Sequence, residues 1–149
     1  MDHQGIIKKL TYSVFGLGYI PYAPGSFGTL GGVVIWMLMP SLRTEFAVMG
    51  VLLFLAYWSI GYAQKELGSA DPRPVVIDEV IGFLVSVWCV AFTWKIAIAA
   101  YLLFRAFDIF KPFPVRNLEK ISGPWGVILD DVGAGVYARI VLAILIRYV

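Results

Sequence analysis

The chain carries ten acidic residues, and five of them stand inside or at the edge of apolar runs: Asp78, Glu79, Asp108, Asp130 and Asp131. A carboxylate in such a setting is costly unless it is paired, protonated or bound to a metal ion. Arg105 and Lys111 flank Asp108 at i−3 and i+3, close enough on a helix to pair with it. Two cations do not balance five acids, whereas a divalent metal ion would. The only histidine, His3, lies in a terminus expected to fray, and the single cysteine, Cys89, lies mid-run. The remaining ligands are oxygens, which points to Mg²⁺ or Mn²⁺. Asp78 and Glu79 follow Pro72 and Pro74, so stabilisation of N-terminal acids by the helix dipole is a serious alternative for that pair. For Asp130 and Asp131 together, metal binding is the stronger reading.

Two glycine-containing loops add a second kind of chemistry. Pro24-Gly25-Ser26-Phe27-Gly28-Thr29 leads into an apolar run, and backbone N–H groups at a helix start favour an anion such as phosphate. It lacks the Gly-Lys-Ser/Thr of a P-loop, and a tight entry into a close-packed helix explains it equally well. Gly123-Pro124-Trp125-Gly126, just before Asp130, reads the same way. Gly133, Ala134, Gly135 and Ala138 form a small-residue stripe suited to close helix packing.

The elements that must position these residues are helices. Apolar runs cover 30–39, 46–63, 75–94, 96–110 and 125–146, separated by proline, glycine and charge clusters, and none alternates as a strand does. The first run ends at Pro40 and the fourth at Lys111-Pro112 and Pro114. Residues 11–32 read as a loop leading into the first helix. The expected architecture is one all-α domain over 1–149, a compact bundle of about five hydrophobic helices.

Composition places that bundle in a membrane. Sixty percent of the 149 residues are hydrophobic and 15% charged, against about 45–50% and about 25% in soluble domains. Mean hydropathy is +0.81. Only 46–63 approaches a charge-free span of about 20 residues. With the N-terminus in the cytoplasm, the inner connections hold Lys8, Lys9, Lys65, Arg73, Arg105, Lys111, Arg116 and Lys120. The outer ones hold Arg43, Lys95 and Arg147, the bias expected of a membrane protein. All five acids then fall at the cytoplasmic ends of their helices. Asp130, six residues past Pro124, lies about 9 Å along its helix.

Several classes are excluded. Aromatic and aliphatic content rules out disorder. One cysteine rules out a disulfide scaffold. A net charge of +2 from 12 basic and 10 acidic residues is too balanced for a nucleic-acid binder. Without usable histidines, Ser-His-Asp and histidine-phosphatase chemistry are impossible. Cysteine-phosphatase and Asp-x-Asp phosphatase motifs are absent. The alternatives from other classes are a small transporter or ion-conducting subunit, and a structural assembly factor with buried ion pairs.

Taken together, the segments resemble the phosphatidylglycerophosphatase A family over about residues 16–136. The matching pieces are Pro24-Gly25-Ser26-Phe27-Gly28; Asp78-Glu79 with Gly82; Phe104-Arg105-x-Phe107-Asp108-x-x-Lys111-Pro112-x-Pro114; and Gly126 through Asp130-Asp131-x-x-Ala134-Gly135. Departures at Val115, Pro124, Val127 and Ile128 touch no acid. The resemblance implies a Mg²⁺-dependent phosphatase of the bacterial inner membrane. It would act on phosphatidylglycerophosphate from the cytoplasmic side and leave phosphatidylglycerol and inorganic phosphate. The expected site then has Asp78, Glu79, Asp130 and Asp131 as metal ligands, with Asp108 as a further candidate. Asp108, Lys111, Asp130 and Asp131 form its catalytic set, and Arg105, Lys111, Gly25, Ser26 and Gly28 contact the phosphate. Direct attack by water and attack by an aspartate through a phosphoenzyme are both open to this residue set.

Overall fold

The computed structural model describes residues 3–39 and 41–147, and among them only helices and their connections occur. The chain runs through α1 (His3–Tyr12), a 3₁₀ turn at Leu17–Tyr19, α2 (Pro24–Met37), α3 (Leu42–Leu67), α4 (Ile77–Ser86), α5 (Trp94–Phe110), the short α6 (Val115–Leu118) and α7 (Pro124–Ile146). Pro40, the expected stop of the first run, lies outside the described residues.

α4 is the axle of the bundle. Eight of its ten residues are buried, and α2, α3, α5 and α7 all pack on it. Its partner α7 lies parallel to it, and glycine makes the approach close enough. A Cβ on Gly135 would stand 2.2 Å from the carbonyl oxygen of Gly82, and one on Gly82 would stand 2.6 Å from that of Asp131. Asp78 precedes Gly82 by the same four residues as Asp131 precedes Gly135. The glycine contact therefore sets the acids of the two helices side by side. α2 joins through Gly28, against Val76, and Gly32, against the Phe83 ring.

Three boundaries differ from the sequence reading. The apolar run 75–94 is not one helix: α4 stops at Ser86 and α5 begins at Trp94, with Thr93 capping the Ile96 N–H at 3.2 Å. The intervening backbone is satisfied from other helices. Val90 O accepts from Trp36 Nε1, Trp88 O accepts from Arg139 Nε, and the Cys89 N–H donates to Glu45. Those partners are remote in the chain, so nothing local announces the break. α2 starts at Pro24, six residues before the expected run, because proline suits the first helical position and its glycines are used for packing. The N-terminus, expected to fray, forms α1 and docks on α3 through a Lys9–Glu66 ion pair at 3.1 Å.

α3, capped by Ser41 and Thr44, is the one described helix long and apolar enough to cross a membrane. At ten residues, α4 is about 15 Å long and too short to do so.

The α4–α7 contact yields a prediction. Gly135→Ala forces a methyl into the Gly82 carbonyl, and overpacking of this kind costs about 1–3 kcal/mol or more. The variant is expected to unfold several degrees earlier in a thermal melt in detergent, whereas Gly50→Ala, where a Cβ meets nothing within 4 Å, is expected to melt with the native chain.

Candidate active site

α4 and α7 run parallel, so their N-terminal turns meet at one end of the bundle, joined there by the start of α2 and the end of α5. Asp78 and Glu79 come from the first turn of α4, and Asp131 from the second turn of α7. One carboxylate oxygen from each lies within 4.8 Å of the others. Asp78 is 6% exposed and Asp131 3%. Asp78 Oδ1, Glu79 Oε2 and Asp131 Oδ2 are buried without a hydrogen-bond partner among the described residues. Orphaned buried acceptors of like charge are the costly arrangement in a protein interior. Burial, then the charge of Glu79, holds the Asp78 carboxyl well above the usual aspartate range. Burial pushes Glu79 up to about 7; the neighbouring Asp108 adds to the shift and Arg105 opposes it. Three hard oxygens with nothing to accept from are the donor set that Mg²⁺ or Mn²⁺ takes.

Cations stand around this group. Arg105 donates from Nη1 to Asp108 Oδ2 at 2.6 Å, while its buried Nε–H has no acceptor among the described residues. Orphaned acceptors and an orphaned donor thus share one site. Lys111 caps α5 in the left-handed region, at φ 42°. Its Nζ reaches Asp130 Oδ2 at 2.7 Å and Glu119 Oε2 at 3.5 Å. Burial works against the ammonium, but the bond to Asp130 and the nearby acids outweigh it and raise the lysine above its ordinary range.

The other expected site residues fall into place around this group with differences. Asp130 stands apart from the three orphaned acids, because both its oxygens are engaged: Oδ2 by Lys111, Oδ1 by the Asp131 N–H at 2.9 Å. Asp108 gives one oxygen, Oδ2, to Arg105. Gly25 sits in the site, where a Cβ would come 2.3 Å from Glu79 Oε1 and 3.0 Å from Arg105 Nη1. Gly28 packs on α4 instead. The Ser26 and Phe27 N–H groups both donate to Ala23 O, closing the first turn of α2, so they are not free to cradle an anion.

Asp71 was not among the sequence candidates. It is exposed in the α3–α4 loop and, with Gln64, Glu119, Lys120 and Asp130, lines a cleft of about 300 Å³. Its charge and that of Asp130 both act on Asp78. It lies outside the apolar runs, and its one local signal is the turn that Pro72 and Pro74 make.

Comparison with known proteins gives the family. The family model for phosphatidylglycerophosphatase A matches residues 10–146. The chain belongs to that family. A Haemophilus influenzae phosphatidylglycerophosphatase A is 37% identical, the alignment covering 86% of this chain and 82% of that protein. An Escherichia coli phosphatidylglycerophosphatase A is 30% identical, covering 86% and 77%. A Bacteroides thetaiotaomicron protein named "Putative phosphatidylinositol-3-phosphatase" is 38% identical, covering 97% and 96%. No solved structure matches. Family membership makes the chain a phosphoric monoester hydrolase.

The unpaired acids predict a pH dependence. Glu79 is raised in the folded chain from 4.5 to about 7, so the metal-free fold holds a proton that the unfolded chain releases. Its stability is present at low pH and falls, on the order of 3 kcal/mol, as pH rises through that window. The melting temperature of chelator-treated protein is expected to drop between pH 5 and 8, and the rise on adding Mg²⁺ to be larger at pH 8. A Mg²⁺ shift independent of pH would contradict this account of the site.

Proposed function

We propose that this protein hydrolyses the terminal phosphate monoester of phosphatidylglycerophosphate, with Mg²⁺ held by Asp78, Glu79 and Asp131. The observation that carries the reading is the set of three buried carboxylate oxygens, unpartnered among the described residues, beside the likewise unpartnered Nε–H of Arg105. When bound, the cation supplies polarisation of the phosphoryl group and acidifies water. The chain's own residues do the rest. Arg105, aligned by Asp108, offers its Nε–H to a phosphoryl oxygen. Lys111, oriented by Asp130, adds a second positive charge where negative charge develops. Gly25 keeps the space between Glu79 and Arg105 open. Water adds to phosphorus, the bond from phosphorus to the glycerol oxygen breaks, and one water proton ends on the departing alcohol.

The lipids in the relatives' names share one chemistry: a phosphate monoester on a polyol that a phosphodiester joins to diacylglycerol. The surface suits a substrate that stays in the bilayer. Outward positions such as Val34 on α2, Phe54 on α3, Leu102 on α5 and Ile140 on α7 are large, apolar and exposed, a distribution lipid tolerates and water does not. The site end also carries Lys8, Lys9, Lys65, Lys111 and Lys120, which supports a cytoplasm-facing site in the bacterial inner membrane. Carboxylates gathered at one end do not form the mid-span relay that an ion pathway requires.

The test is phosphate release from phosphatidylglycerophosphate in mixed micelles. Release is expected with Mg²⁺, lost with chelator and restored by excess Mg²⁺. Asp131→Asn is expected to abolish both turnover and the Mg²⁺-induced rise in melting temperature; near-normal turnover refutes its role. Arg105→Ala is expected to lower kcat by about 10²- to 10³-fold, and Arg105→Lys to restore little of it, because a lysine lacks the planar fork that bonds Asp108 and phosphate together.

A further inference from the structure

A second groove, of about 700 Å³, adjoins the cleft of Asp71 and Asp130 and shares Gln64 and Gly123 with it. Its walls are Phe54, Tyr57, Trp58 and Tyr62 of α3 and Pro124 of α7, with Lys8 of α1 and Lys65 of α3 beside them. Lys8 Nζ lies 5.0 Å from the ring centroids of both Trp58 and Tyr62. Among the described residues no carboxylate pairs with Lys8 or Lys65, whereas the adjacent Lys9 is taken by Glu66. The reaction derived above uses neither lysine.

The groove has an order. Its outer end is Phe54, 69% exposed on the membrane-length helix. Eleven residues along α3, about 16 Å, comes Lys65. Beyond Gln64 lies the acidic cleft. Hydrocarbon-compatible rings, then two cations, then the cleft of Glu119 and Asp130, whose shared partner Lys111 belongs to the site of reaction: a lipid with acyl chains, an internal phosphodiester and a terminal monoester presents its groups in that sequence. We propose that Lys8 and Lys65 bind the internal phosphodiester and are the specificity-determining pair. They select lipids whose reacting phosphate stands one polyol beyond a second phosphate, over diacylglycerol carrying a phosphate monoester directly. Trp58 and Tyr62 hold the Lys8 ammonium in place by cation–π contact. The inference rests on the reading of this protein as a phosphatase of such lipids.

The experiment uses the full chain in neutral detergent and the double variant Lys8→Gln/Lys65→Gln. Calorimetric titration with short-chain phosphatidylglycerol, which has the phosphodiester and no monoester, is expected to show about tenfold weaker binding in the variant, the scale of two solvent-exposed ion pairs. Lys8→Arg/Lys65→Arg is expected to bind as the native chain does. In kinetics the double glutamine variant is expected to raise KM for phosphatidylglycerophosphate more than it lowers kcat. Its preference for that lipid over phosphatidic acid, as a ratio of kcat/KM values, is expected to fall by a similar factor. Native affinity for phosphatidylglycerol in the variant overturns the proposal, as does an equal loss on both substrates. If the variant loses that affinity but the native protein releases no phosphate from phosphatidylglycerophosphate, the reaction assigned above fails and the lysine site stands.

Discussion

Three acids converge from two helices in the interior of this protein, and their charge must be offset by protons or by a cation for the helices to stay together. Asp78 and Glu79 on α4 and Asp131 on α7 each leave a buried oxygen unpartnered among the described residues. The cost of that arrangement is not met by the nearest cations, because Arg105 is committed to Asp108 and Lys111 to Asp130 and Glu119. The site is thus poor in positive charge where the three acids meet and well supplied around them. On the reading proposed above, a divalent ion would answer the carboxylates and a phosphate would answer Arg105.

This convergence depends on backbone approach more than on the acids themselves. Gly82 and Gly135 remove the side chains that would keep α4 and α7 apart, and Gly25 and Gly28 do the same for α2. The hydrophobic residues of α4, buried on nearly every side, then hold the short helix in place. The same glycines that cost conformational entropy in a helix place three helix starts around one small volume.

The opposite end of the bundle shows the complementary economy. Residues 87–93 leave the helical path, and their backbone groups are met by Trp36, Glu45 and Arg139. Ending α4 there keeps it ten residues long, and the turn that follows it is anchored by neighbours.

From the residues alone one could read an all-helical chain, its apolar character and the gathering of acids at one end. Each of these follows from local composition, periodicity or alternation of direction, which neighbouring residues in the chain settle among themselves. The family resemblance named the acids and the cations around them. What only the tertiary structure decided is which acids share a volume. Asp130, adjacent to Asp131 in the chain, turns to Lys111, while Asp131 turns to Asp78 and Glu79, because successive side chains on a helix point about 100° apart. The break after Ser86, the helical start at Pro24 and the place of Asp71 beside the cleft are likewise set by partners distant in sequence, and no local pattern encodes those.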